Sequence, residues 1–292
     1  LVLERASRRN MRFHNATVRQ QPPRLGLSGW RGLCCFLMAS LILLLGFLVP
    51  AGQLLWWATD HWRDVLDGTF LALVGNSFLL AAIAAICCLL VALLLGYGRR
   101  LHPGRLENSA VRISTMGYAV PGTVIAVGVL MPLAWLDNAV DSLMRAYFDI
   151  STGLLLSGTL FALVFAYVVR YLSVAQQSVE AGLARIRPSL DESARSLGSS
   201  PGRVLRRIHL PILRGSLLTA LLLVFVDVLK ELPATLILRP FNFNTLAVRT
   251  YELASDERLA EAGAPALAIV LIGLLPVILL TRNLGGREHG ND

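Results

Sequence analysis

Long runs without a charged residue organise the chain. Residues 33–59, 68–98, 113–136, 150–169 and 262–281 each supply the ~20 apolar residues a helix needs to cross a bilayer. A sixth apolar stretch, 215–238, is interrupted by Asp227, Lys230 and Glu231, yet it is too hydrophobic on both sides of those charges to be a loop. Barrel strands would show segments of ~10 residues in strict alternation, and no stretch alternates. The pattern predicts an all-α, polytopic membrane protein with six transmembrane helices. The spanning domain covers 32–282, between an Arg-rich segment at 1–31 and a tail at 283–292.

Composition narrows this further. Only 16% of residues are charged, against ~25% in a soluble domain, which excludes a disordered chain. The four cysteines form two adjacent pairs, Cys34-Cys35 and Cys87-Cys88, with neither a CxxC spacing nor a Cys/His cluster. They read as small buried hydrophobes.

The net charge of +8 would suggest nucleic acid in a soluble chain, but its distribution says otherwise. Arginines crowd into 1–31, the loop holding Arg99, Arg100, Arg105 and Arg112, and the loop from Arg185 to Arg214. The alternate loops are acidic: Asp60, Asp64 and Asp67, then Asp137, Asp141 and Asp149, then Glu252, Asp256, Glu257 and Glu261. By the positive-inside rule both termini are cytoplasmic. The partner of this charge is the lipid bilayer, and no nucleic acid is implied. The first apolar run follows about thirty polar residues and ends in no cleavage site, so it reads as a retained helix. The chain opens on Leu1 rather than Met, into a linker-like segment, which suggests that sequence precedes it.

Several chemistries find no residues. Lys230 is the one lysine and no glycines precede it, so there is no Walker A loop. His14, His61, His102, His209 and His289 fall in loops and tails, with no HExxH. Ser157-Gly158 within the fourth run lacks a histidine to serve as base and reads as a small-residue helix contact. No enzyme is legible, and no metal site is assigned.

The loop 180–214 carries the most information. Leu183, Ile186, Leu190, Ala194 and Leu197 draw one apolar stripe on a helix. Pro188 fits its first turn, Asp191 and Glu192 complement its dipole, and Gly198 sits where a left-handed cap would close it. Ser200-Pro201 restarts a second short helix, which Pro211 stops. A helix–glycine–helix knuckle of this kind is built to dock something; a surface helix lying on anionic lipid is the alternative.

These residues carry a resemblance. Glu192-Ser193-Ala194, Gly198 after three residues, and Ile208-His209-Leu210-Pro211 after nine more resemble the E-A-A-x3-G-x9-I-x-L-P loop of ABC-importer permeases, with Ser193 the one departure. The run from Asp227 to Leu246 and the segment Tyr251 to Ser255 are similar to the C-terminal half of ferric-iron transport permeases. The resemblance implies that this loop is a cytoplasmic coupling helix seated in an ABC ATPase subunit. ATP and Mg would be on that subunit and no cofactor on this chain. It also implies a periplasmic substrate-binding protein, a second permease half fused upstream or separate, and residence in the bacterial inner membrane. Neighbouring members handle thiamine, sulfate, polyamines or phosphonates.

In the fifth run Asp227 faces Lys230 and Glu231 at i+3 and i+4. An Asp227–Lys230 pair would lower the cost of burial and leave Glu231 as the surplus carboxylate, while Pro233 opens the backbone just beyond. Two readings stand: a polar translocation path or gate, with carboxylates suited to a hard cation such as Fe³⁺, or a salt-bridge lock between helices. Arg170, at the end of span four, reads as a snorkelling residue. Gly122, Ala126, Pro121 and Pro132 predict close packing and a kink in span three. An ATPase-independent carrier and an intramembrane enzyme are the remaining rivals.

Overall fold

A computed structural model describes residues 26–27, 29–60, 68–102 and 104–285. Most of the Arg-rich segment with His14, then His61, Arg63, Asp64 and Asp67, and the tail from residue 286 with His289, lie outside the described residues. Among the described residues there is no strand, and six helices are long and apolar enough to span a bilayer. These are α1 (Trp30–Asp60), α2 (Gly68–Leu101), α4 (Gly122–Phe148), α5 (Leu160–Leu183), α7 (Pro201–Leu229) and α10 (Leu259–Gly285). Between them lie short helices: α3 (Arg105–Ser114), α6 (Pro188–Ser196), α8 (Pro233–Leu238) and α9 (Leu246–Ser255).

Two compact units meet at Pro50. The first contains the opening of α1, an apolar helix with no buried residue, and Cys34 and Cys35 are exposed on it rather than buried. Its turn Leu44–Leu48 is π-helical and comes two residues before Pro50. Proline cannot donate the i→i−4 bond and its ring crowds the carbonyl four residues back, so the helix passes it through a widened turn. The same device recurs in α7, where Leu205–His209 is π-helical just before Pro211. Pro211 therefore does not stop the second short helix, which runs on into the span.

In the second unit, α2, α5 and α7 pack on one another through small residues. Ser77, Ala81, Ala84, Cys88, Ala92 and Gly96 are the buried line of α2, and Ala162, Ala166 and Ala175 that of α5. Small side chains let helix backbones approach closely where lipid offers no hydrophobic drive for association. A Cβ on Gly96 would stand 3.1 Å from Leu183 Cδ1.

Three spans are displaced from the charge-free runs. Residues 115–121 break between α3 and α4 through a 3₁₀ turn, Gly117–Ala119, and Asp137 and Asp141 lie within α4. The fourth span is not 150–169: the chain from Asp149 to Thr159 is a loop, and α5 continues through Arg170 to Leu183. The fifth helix ends at Leu229, so Lys230 and Glu231 sit in a break before α8. The third and fourth spans share one physical reason: a charge satisfied inside the protein does not meet lipid, so it marks no boundary.

Asp137 shows this most plainly, at 1% exposure. Its carboxylate accepts from the backbone N–H groups of Leu156 and Ser157, at 3.0 and 2.8 Å, and from the Ser157 hydroxyl at 2.5 Å. Ser157-Gly158 is thus part of this capped loop, with Gly158 at φ +73°, and not a helix contact. Asp141 likewise accepts from Thr152 N at 2.8 Å and Gly153 N at 3.1 Å.

Candidate functional site

The residues expected to form a coupling loop occupy one knuckle. Pro188 opens α6 as predicted, and Gly198, at φ +75°, closes it. Gly198 N–H donates to Arg195 O at 2.9 Å and Ser199 N–H to Ala194 O at 3.0 Å, the paired bonds of a Schellman cap. Nothing lies within 4 Å of a Cβ built on Gly198, so backbone conformation alone calls for glycine there. Ser200 then caps Pro201 with its extended backbone.

On α6 the expected stripe is divided. Leu183 and Ile186 are buried before the helix begins and Ala194 is buried within it, whereas Leu190 and Leu197 are exposed, Leu197 at 85%. Glu192 and Ser193 are also exposed, Ile208 and Leu210 are half-buried, and Pro211 is exposed. Of the matched residues, Glu192 and Ser193 thus stand on an outward ridge with Leu190 and Leu197, whereas Ala194 faces in.

The inner side of the knuckle is held by residues that sequence reasoning passed over. Asp191 accepts from Arg100 Nε at 2.7 Å, and its other oxygen meets His209 Nε2 at 2.6 Å. Arg100 also donates to Leu183 O at 2.9 Å and Ile186 O at 3.0 Å. His209 is not in a loop: it sits in the π-helical turn of α7 at 1% exposure, with Tyr97 edge-on at 5.5 Å. The Tyr97 hydroxyl donates to Pro201 O at 2.7 Å. Partial burial pushes the Asp191 carboxyl up, but the hydrogen bonds from Arg100 and His209 outweigh it and hold the group below the usual carboxylate range.

A second cluster lies deep in the bundle. Asp227 and Lys230 form the expected ion pair at 2.9 Å, with the Lys230 side chain 62% exposed. Glu231 is not a surplus carboxylate. It is 6% exposed and accepts from the Tyr171 hydroxyl at 2.5 Å and from Ala234 N at 3.2 Å, while Arg170 Nε lies 3.5 Å away as an ion pair. Arg170 is ten residues into α5, roughly 15 Å from its start at 1.5 Å per residue. It is a mid-helix residue with an internal partner and does not snorkel.

Arg170 also donates to Val120 O at 3.1 Å, in the break before α4. Gly122 explains how that break comes so near, since a Cβ there would stand 2.6 Å from Glu231 Oε1 and 2.8 Å from an Arg170 nitrogen. Beyond Glu231, Thr235 donates to the Glu231 carbonyl at 2.6 Å and shares a 2.6 Å hydrogen bond with Tyr167. Pro233 is exposed at the first turn of α8. The cluster therefore ties two helix breaks, 115–121 and 230–232, to the middle of α5. The available signal was Arg170, alone in one apolar stretch, and a carboxylate beyond the Asp227–Lys230 pair in another. Among the described residues no group of three or more His, Cys, Asp or Glu could hold a metal ion.

The glycine-capped knuckle lies between α5 and α7, two helices long and apolar enough to cross a membrane. Residues 88–287 match the binding-protein-dependent transport system inner membrane component family, and the chain belongs to it. That family is one of inner membrane components of binding-protein-dependent transport systems. Among curated relatives it is 29% identical over 248 residues to the Fe(3+)-transport system permease protein FbpB 2 of Haemophilus influenzae, covering 83% of this chain and 46% of that protein. It is 26% identical to the putative 2-aminoethylphosphonate transport system permease protein PhnV of Salmonella typhimurium, covering 86% of this chain and 87% of that one. The chain therefore spans about half the length of the ferric relative. Its fold matches that of a bacterial ABC transporter involved in the import of the acidic polysaccharide alginate, with a TM-score of 0.64, 16% identity, and coverage of 89% of this chain and 96% of that one.

Proposed function

We propose that this chain is one transmembrane half of an ABC importer for ferric iron. In this reading a periplasmic binding protein delivers the metal, a separate ATPase subunit drives transport, and a second permease half, fused or separate, completes the path. The observation that carries the mechanism is the knuckle 188–211. Its glycine-capped shape and outward ridge suit a groove on an ATPase, and its inner side is bonded to the spans, so a push on α6 would reach the bundle. ATP and Mg would reside on the ATPase, and this chain would carry no cofactor. Both termini, and the knuckle with them, would face the cytoplasm.

Asp227, Lys230, Glu231 and Pro233 would form the gate. Glu231 holds the closed break against Arg170 and Tyr171, while the exposed Lys230 ammonium, paired to Asp227, faces the path. A buried carboxylate already bound by an arginine and a tyrosine is ill placed to hold iron in transit, which suits a route that must release its cargo.

The second reading, favoured by the likeness to PhnV, is the same machine importing a phosphonate. The two are separated by reconstituting the chain with its ATPase and binding protein and measuring ATP-dependent uptake of labelled ferric iron and of 2-aminoethylphosphonate. Iron uptake alone supports the first reading; phosphonate uptake alone replaces it with the second.

A further inference from the structure

We infer that the Asp191 carboxylate, bridging Arg100 and His209, is the joint that transmits motion of the knuckle to the spans, with Asp191 and His209 acting as positioning residues for transport. The inference rests on the reading of α6 as the surface an ATPase grips, and it deepens that reading by naming the residues behind the gripped face.

The outward ridge of α6 and its inner contacts are different residues. Glu192, Ser193, Leu190 and Leu197 face out, whereas Ala194 and Asp191 face in. Force applied outside must therefore leave α6 through the inner side. Ala194 offers one methyl group, which can slide. Asp191 offers two charge-assisted hydrogen bonds, which are short and directional, and each ends on a different span: Arg100 at the end of α2 and His209 at the start of α7. The same guanidinium holds the carbonyls of Leu183 and Ile186, where α5 ends and the chain turns toward α6. One arginine and one carboxylate thus gather the ends of three spans onto the coupling helix.

His209 carries a second, independent mark. Its ring is almost wholly buried, and Nδ1 is a buried polar atom without a hydrogen-bond partner. An ionised Asp191 can only accept, so Nε2 is the donor. A phenylalanine would fill the same space against Tyr97 without leaving Nδ1 unsatisfied, so packing alone gives no reason for the histidine. The bond to Asp191 gives one.

The test uses the full chain assembled with its ATPase and binding protein in lipid nanodiscs. Asp191→Asn and His209→Phe should keep the ATPase bound and hydrolysing. Substrate moved per ATP should fall about five- to tenfold, the span of a modest coupling energy, with ferric iron and 2-aminoethylphosphonate assayed in parallel. Asp191→Glu, which retains the charge, should recover most of the loss; a purely structural contact would instead lower transport and hydrolysis in parallel and leave the substrate moved per ATP unchanged. A wild-type ratio in both variants overturns the inference, and so does loss of ATPase binding in Asp191→Asn, which would make the residue part of docking. Should either variant fail to fold, spin labels at Ser196 and Leu94, in a chain with its four cysteines replaced, decide the matter. Their separation should stay constant through the ATP cycle, and a change in it overturns a rigid joint. Undiminished ATPase binding after Glu192→Lys, on the outer ridge, would instead overturn the coupling reading itself.

Discussion

Tyr171 donates its hydroxyl to Glu231 Oε2 across 2.5 Å, sixty residues away in sequence and inside the bundle, beside an arginine that carries the opposite charge. One carboxylate thereby fixes the break after α7 to the middle of α5. Taking two charges out of water is unfavourable, and such a pair is tolerated only when its remaining hydrogen-bonding groups are satisfied. Here Ala234 N donates to the carboxylate and Val120 O accepts from one Arg170 Nη, while the buried Arg170 Nε has the ion pair but no hydrogen bond.

Removing one member should therefore be worse than removing both. Glu231→Gln or Arg170→Met alone strands a buried charge and should cost about 3–5 kcal/mol, with a lower yield of folded protein. The double variant Arg170→Met with Glu231→Gln should regain most of that stability while still transporting poorly. Thermal melts in detergent and uptake assays on the three variants check this. A single Glu231→Gln variant as stable as wild type would remove the lock.

Gly122 is set by space. A methyl group there would enter the contact distance of both Glu231 and Arg170, so Gly122→Ala should destabilise by about 1–3 kcal/mol as the pair is forced apart. Differential melting would record the shift. Gly128, on the same helix with nothing near it, should accept alanine without loss.

Gly198 is set by conformation. Gly198→Val should cost on the order of 1 kcal/mol or more from φ +75° and should separate ATP hydrolysis from transport. Gly198→Asn should keep both, because asparagine tolerates the left-handed region. Uptake normalised to hydrolysis distinguishes the two, and full uptake by Gly198→Val would exclude Gly198 from coupling.

The Asp191 joint has a pH signature. Its carboxyl is held below the ordinary 3.8 by Arg100 and His209. A depressed folded-state value means that the stabilisation is complete above about pH 3.8 and is lost as pH falls through the lower folded value. The difference in melting temperature between wild type and Asp191→Asn should be constant from neutral pH down to that point and narrow below it. A difference that already narrows between pH 7 and 5 would assign the effect to another group.

Orientation is open to direct measurement. A reporter fused after Arg105 or Gly202 should register in the cytoplasm, and one after Asp149 or Asp256 in the periplasm. A cytoplasmic reading at Asp256 would mean that α7 does not cross the membrane, and the gate would lose its setting.

The knuckle was legible in the sequence because its determinants are local. Pro188 favours the first turn of a helix, Gly198 supplies a positive φ, and Ser200-Pro201 restarts the chain within a few residues. Asp227 and Lys230, three residues apart on one helix, were readable for the same reason. Glu231 was not, because its partners, Arg170 and Tyr171, lie on another span, and spacing along one chain says nothing of which helices touch.

The sequence by itself determined the class of this protein: six apolar segments and a loop with the punctuation of a glycine-capped helical knuckle. These follow from composition and short-range geometry, which hydrocarbon thickness and backbone sterics constrain tightly. Only the tertiary structure decided where the spans begin and end, because Asp137, Arg170 and Glu231 find partners inside the bundle and so are not excluded from it. It alone also decided that Asp191, which reads in isolation as a dipole-matching residue at a helix start, joins Arg100 to His209 across 91 and 18 residues of chain. Buried charges are stabilised by whatever packing brings within reach, and that is a property of the folded helices together.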